Sequence, residues 1–237
     1  MRHKLTLTIT LALLALAFLT PVTFTHALAT LIVSDDFNAN SIDTTKWDPN
    51  NLFFIPANTN VPIAQSGHNL KIGNLLQNTS GLNFRGIYTI NTYNFNGASA
   101  YVELVQPPAS NTTAEAAFSV GSDFNDCYRM YVSGGNLIGL LRSAIGRGAM
   151  ETTLFSIPYD STNHRFLRIR NDSGSLYMDT APGTGGVPGT WTQQYTESWN
   201  AAISTSAVVF EIRAGSAQVE TNPPGKVIFD NFVATTP

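Results

Sequence analysis

The side chains best suited to chemistry in this 237-residue chain are its carboxylates, arginines and aromatics, and they are thinly spread. Cutting a glycosidic bond takes two carboxyl groups roughly 5 to 10 Å apart, one acting as acid and the other as nucleophile or base. Glu103, Glu115, Glu151, Glu197, Glu211 and Glu220 stand singly along the chain. Asp123 and Asp126 are close, but they lie in Gly121-Ser122-Asp123-Phe124-Asn125-Asp126, a turn composition in which Asp caps backbone N–H groups. A G-x-S-x-G elbow and a phosphate-cradling glycine motif are both missing. The run Gly183 to Gly189 imitates the latter, yet Pro188 stands where a third glycine is needed and no helical pattern follows. Past the N-terminal segment only His68, His164 and the single Cys127 remain, too few for an ordinary zinc site. Nothing here is a recognisable catalytic set, so the enzyme question stays open, leaning to no.

Binding chemistry is better represented. A saccharide site needs aromatic faces for sugar C–H surfaces and planar polar groups beside them. Trp191 follows the Pro- and Gly-rich stretch from Ala181 to Gly189, with Tyr195 and Trp199 close behind. Arg168 and Arg170 project from the polar side of an alternating segment. Trp191, Arg168, Arg170 and Tyr195 are therefore the candidate carbohydrate-binding residues. The competing reading makes Trp191 a rim residue and the arginines a solvated sheet face. A cation site is a further candidate. Asp35 alternates with Val33 and Phe37, and Asp230 with Ile228 and Phe232, so each carboxylate shares an apolar face. Burying a carboxylate is costly unless it is hydrogen-bonded or metal-bound. Asp35 and Asp230 are thus candidate ligands for a structural Ca²⁺, with hydrogen bonding at strand ends as the alternative.

These residues need strands to position them. Helix periodicity is nearly absent, while Thr, Asn, Ser, Gly and aromatics abound. Short alternating segments read as strands over 31–37, 69–73, 86–90, 98–105, 114–120, 128–133, 137–142, 152–157, 165–170, 175–179, 207–213 and 226–233. In the ninth, Leu167 and Ile169 oppose Arg168 and Arg170; in the eleventh, Val208, Phe210 and Ile212 oppose Val209, Glu211 and Arg213. Ser133-Gly134-Gly135-Asn136 and Asn171-Asp172-Ser173-Gly174 read as hairpin turns. Cys127, in an apolar alternating stretch, reads as a small buried hydrophobe.

Residues 1–29 read as a secretory signal peptide: basic Arg2, His3 and Lys4, an apolar run from Leu5 to Leu19, and a small-x-small cleavage site at Ala27-Leu28-Ala29. Residues 30–237 then form one secreted domain with no further membrane span. The formal charge of −3 becomes −5 once Arg2 and Lys4 leave, which argues against nucleic acid and anionic membranes as partners. Sequons stand at Asn78, Asn111 and Asn171.

Three patches carry a resemblance. Ser34-Asp35-Asp36-Phe37-Asn38 with Ser41-Ile42-Asp43 and Lys46-Trp47 resembles the opening of concanavalin A-like lectin/glucanase (LamG-like) domains. His164-Arg165-Phe166-Leu167-Arg168-Ile169-Arg170, with Leu176-Tyr177-Met178-Asp179 and Thr190-Trp191, resembles a later segment of the same superfamily. The terminal Val227-Ile228-Phe229-Asp230-Asn231-Phe232 resembles its end. The resemblance implies an all-β, two-sheet antiparallel jelly-roll sandwich whose concave face often binds saccharide. The E-x-D-x-x-E strand of the superfamily's glucanases is absent, and the segment from Asn50 to Gly97 matches no known pattern and is free to cover that face. The expected function is a non-catalytic, lectin-like module for a polysaccharide or surface glycan. The alternatives are a hydrolase or lyase with an atypical cleft and a self-associating structural protein, since few lysines protect the sheet edges.

Overall fold

The computed structural model describes residues 29–53, 55–144 and 149–236, so the expected signal peptide lies, apart from Ala29, outside the described residues. Among the described residues every regular element is a strand: β1 (Leu31–Asp35), β2 (Trp47–Asp48), β3 (Asn51–Leu52), β4 (Ile55–Pro56), β5 (Ile63–Gln65), β6 (Leu70–Ile72), β7 (Asn83–Thr89), β8 (Ser99–Gln106), β9 (Glu115–Gly121), β10 (Cys127–Ser133), β11 (Asn136–Ala144), β12 (Ala149–Pro158), β13 (Phe166–Asp172), β14 (Ser175–Ala181), β15 (Gly183–Thr184), β16 (Val187–Pro188), β17 (Thr192–Ser198), β18 (Val209–Ser216) and β19 (Val227–Thr235). All twelve expected strands are present, with ends moved by a few residues.

Two antiparallel sheets form the sandwich. An eight-stranded sheet runs β17-β14-β13-β8-β19-β6-β5, with β1 also paired to β19; a seven-stranded sheet runs β12-β11-β10-β9-β18-β7-β2. The chain changes sheet repeatedly: β18 inserts between β9 and β7, and β19 between β8 and β6. This is the expected jelly roll. Alternation explains the packing, because every second side chain of each strand turns toward the other sheet. Val102, Leu104, Leu167, Ile169 and Met178 of one sheet meet Phe118, Val120, Tyr128, Met130, Phe210 and Ile212 of the other in one core. Phe232 ties the sheets together, with ring centroids 5.4 Å from Phe210, 6.2 Å from Phe118 and 5.1 Å from Trp47.

Turn chemistry is as the residue types demand. Ser133 pairs with Asn136 across Gly134 and Gly135, whose φ angles are +57° and +74°. Two successive positive φ values are the type I′ requirement that glycine meets without a Cβ penalty. The Asn50–Gly97 segment does reach the outer face of the seven-stranded sheet. From the β3–β4 hairpin, Phe53 packs with Tyr88, Cys127 and Val209, and Leu52 packs with Phe84 and Ala57. One end of that face is thereby closed. The Asn171 sequon is buried, whereas Asn78 and Asn111 are exposed.

Candidate functional site

The residues singled out from the sequence occupy the opposite, eight-stranded sheet and are already engaged with one another. Arg168 and Arg170 do project outward, as their alternation requires. Each places its Nε 2.9 Å from the same oxygen, Oδ2 of buried Asp179. The Arg168 guanidinium lies 4.0 Å from the Trp191 ring centroid, and that of Arg170 3.7 Å from Tyr177. Trp191 also packs against Tyr101 and Phe166, at 5.6 and 6.5 Å. Tyr195 is not on this face. It pairs with inward-facing Met178, stacks on Phe155 at 6.3 Å and donates its hydroxyl to Glu197 at 3.1 Å.

Asp35 and Asp230 are not brought together either. Asp35 pairs with core residue Phe232 and turns inward. Its two oxygens accept from Phe37 N–H and Trp47 Nε1, both at 2.8 Å, so the buried carboxylate is satisfied by the chain itself. Asp230 pairs with Glu103 on the outward face. The expected sharing of a face by Asp230 and Phe232 fails because the register shifts between Asp230 and Val233, with Asn231 at φ +47°. Burial, with Glu103 and Asp36 adding like charge, raises the Asp230 pKa to about 6. A hollow of about 330 Å³ lies nearby, lined by Asp36, Asn231 and Lys46, whose ammonium donates to Ser34 O at 3.2 Å.

A different cluster has the properties of a site. The outer face of the seven-stranded sheet is built by cross-strand register. One row runs Tyr88, Glu211, Ser119, Arg129, Leu140; the next runs Gly86, Arg213, Ala117, Tyr131, Ile138. Arg142 and Glu151 pair beside them, and Glu115 sits opposite Gly215. The open half of this face is a cleft of about 210 Å³ whose walls include Phe84, Phe124, Tyr131, Leu140, Arg129, Arg142 and Arg213. Gly86 lets β7 approach closely, since a Cβ there would lie 2.7 Å from Cβ of Arg213.

The electrostatics are unusual for a chain with so few charges. Arg129 and Arg213 are 3% and 4% exposed, and Glu211 is fully buried beneath the cleft wall. The Ser119 hydroxyl accepts from Arg129 Nε at 3.1 Å and donates to Glu211 Oε2 at 3.3 Å. Arg213 spans two carboxylates, with Nη2 3.3 Å from Glu115 and Nε 3.8 Å from Glu211. Arg142 Nη1 holds Glu151 at 2.6 Å. The guanidinium of Arg142 stacks 3.9 Å from Phe124, and that of Arg213 4.4 Å from Phe84. Burial pushes the Glu211 pKa up against the pull of Arg213 and Arg129. Burial also lifts the Tyr131 hydroxyl to about 12 and the Cys127 thiol to about 11, so both stay protonated at neutral pH. Arg213 Nε and Glu211 Oε1 are buried without a hydrogen-bond partner.

Glu211 and Arg213 were legible in the sequence only as the wet face of an alternating strand. The signal that marks them is the pairing of opposite charges at i and i+2 in a chain that is 12% charged. Arg129 and Arg142 carry no local signal of this kind.

The architecture is shared with solved structures of low sequence identity. β-Agarase A from Zobellia galactanivorans superposes with a TM-score of 0.61 at 12% identity, covering 88% of this chain and 92% of that one. An immunostimulatory antigen and pseudo β-1,3-glucanase of Mycobacterium tuberculosis gives 0.62 at 12% identity, covering 88% and 99%. The CBM2 module of the evolved Dit of Lactobacillus casei BL23 phage J-1 gives 0.57 at 10% identity, covering 87% and 95%. The fold is therefore the concanavalin A-like jelly roll. No protein-family model matches the sequence, and no curated protein matches it.

Proposed function

We propose that the chain is a secreted, non-catalytic carbohydrate-binding domain, lectin-like in mode, with the cleft on the seven-stranded sheet as its binding site. The observation that carries this reading is the disposition of the cleft's carboxylates. Glu151 is held by Arg142, Glu115 by Arg213, and Glu211 lies below the wall, out of reach of a substrate. A glycosidase of the usual kind sets two carboxyl groups across one bond, one of them protonated. Here the acids serve as counter-charges, while Phe124, Tyr131 and the guanidinium planes supply the stacking and hydrogen-bonding surfaces a sugar ring uses. The solved structures of the same fold include a β-agarase and a pseudo β-1,3-glucanase, which is compatible with saccharide chemistry on this scaffold without deciding it.

A polysaccharide array scored together for retained protein and released sugar tests the reading. Retention without product is expected, and it should be lost in Arg142→Ala, a position on the outer face whose side chain lies outside the core between the sheets. Release of reducing ends or unsaturated sugar would replace the reading by the hydrolase or lyase alternative.

A further inference from the structure

We infer that the saccharide bound in this cleft is anionic, its carboxylate or sulfate group lying against the buried guanidinium of Arg129, with Arg213 beside it. The inference rests on the reading of the cleft as a saccharide site and names the chemical class that site selects.

The argument starts from Arg129. A buried guanidinium is costly unless an opposite charge accompanies it. Arg142 and Arg213 each have a carboxylate within 4 Å, at Glu151 and Glu115. Arg129 has none among the described residues; its partners are the Ser119 hydroxyl and, at 4.0 Å, the Cys127 sulfur. Glu211 reaches it only through Ser119. Arg129 lines the cleft, and so does Arg213. Two guanidinium groups at one wall, that of Arg129 bonded only to a hydroxyl and weakly to a sulfur, fit a planar or tetrahedral oxyanion.

Size agrees, and the net charge shows that any such selectivity is local. About 210 Å³ is below the 300–1,000 Å³ usual for drug-sized ligands, so the cleft admits one ring or one acidic substituent of a longer chain. The whole chain carries a net charge of −3, so general electrostatics would repel a polyanion. Attraction to one must then come from a local site.

Affinity electrophoresis of the purified protein tests this with four probes: polygalacturonate for the carboxylate, dextran sulfate for the sulfate, and highly methyl-esterified pectin and dextran as neutral counterparts. Retention by polygalacturonate or dextran sulfate at least tenfold tighter than by the neutral probes is expected, and the stronger of the two names the acidic group. Raising NaCl from 0.1 to 1 M shortens the Debye length from about 10 to about 3 Å and should loosen that binding severalfold. Arg129→Gln should abolish the preference. Should that variant not fold, Arg129→Lys keeps the charge but loses the fork, and a drop in the preference of about tenfold is expected from it. Equal or tighter retention by the neutral probes would overturn the inference and leave the saccharide site standing. No retention by these probes, or by any glycan on the array, would overturn both.

Discussion

Arg213 offers the sharpest test of how the cleft is held together. Replacing it with Met keeps most of the side-chain volume against Phe84 and removes the charge between Glu115 and Glu211. At 3.8 Å and an effective dielectric constant of about 20, the attraction to Glu211 is about 4 kcal/mol. The Glu115 contact, with its carboxylate partly in solvent, adds at most about 1 kcal/mol. Against this stands the relief of no longer burying Arg213 itself. Loss of one partner from a buried pair ordinarily costs about 3–5 kcal/mol, because the remaining charge is stranded. We expect Arg213→Met to lower stability by roughly 3 kcal/mol at pH 7, a fall in Tm of about 10 °C for a domain of this size. The decisive measurement is a double-mutant cycle by urea unfolding with Glu211→Gln. Once Glu211 is neutral no stranded carboxylate remains, so the double variant should recover at least about 1.5 kcal/mol of the summed losses. The stranded Glu211 should also be accommodated by protonation, making the single variant's deficit smaller at pH 5 than at pH 8. Additive losses with no pH dependence would refute the account of Arg213 and Glu211 as one coupled unit.

Three further outcomes follow from the same geometry. Trp191→Ala should cost about 2 kcal/mol through lost packing on Arg168, Tyr101 and Phe166, yet leave saccharide retention unchanged, as array binding on the folded variant would show. Asp230 has a folded pKa of about 6 against an ordinary value of 3.8, so its ionisation penalises the folded state fully above about pH 6 and not at all below about 4. Asp230→Asn should therefore raise Tm by a few degrees at pH 8 (about 1 kcal/mol after allowance for solvent screening) and by little at pH 4, a difference that calorimetry at the two pH values resolves. Gly135→Ala places a Cβ at φ +74° in the β10–β11 turn and should cost about 1 kcal/mol by urea unfolding without altering the far-UV spectrum.

The core strands were legible because their code is local. Alternation in 165–170 and 207–213 states which side chains turn inward, and the structure buries Leu167, Ile169, Phe210 and Ile212 accordingly. Strand β17 escaped notice because Thr192–Ser198 reads Thr-Gln-Gln-Tyr-Thr-Glu-Ser, the polar pattern of an edge strand with little to bury. The premise about Asp35 was sound: a carboxylate on an apolar face must find partners. One partner, Phe37 N–H, is local and within the strand-end alternative; the other, Trp47 Nε1, is twelve residues away, and a residue count cannot foretell that meeting. The cleft was hidden for a larger reason. Glu115, Arg129, Arg142 and Glu151 lie on the consecutive strands β9 to β12, whereas Glu211 and Arg213 lie on β18, which joins them only by long-range pairing. Periodicity marked Glu211 and Arg213 as solvent-facing. The β3–β4 hairpin and Phe124 fold over part of that face and take them out of water, and loop placement has no period to read.

The two arginine networks of this molecule then invite a comparison that stability alone does not resolve. On the eight-stranded sheet, Arg168 and Arg170 converge on one buried aspartate, each capped by an aromatic ring, and none of their buried polar atoms lacks a partner. That arrangement is complete and serves to brace a sheet face. On the seven-stranded sheet the arginines are more deeply buried and less well paired. Buried ion pairs generally contribute little net stability relative to apolar packing, and incompletely paired ones less still. The energetics of the fold therefore favour filling this wall with hydrophobic side chains. The guanidinium groups of Arg129 and Arg213 make sense as a preorganised surface, already desolvated and held in place by Ser119, Phe84 and Glu115, on which an anion from outside completes the charge pairing of Arg129.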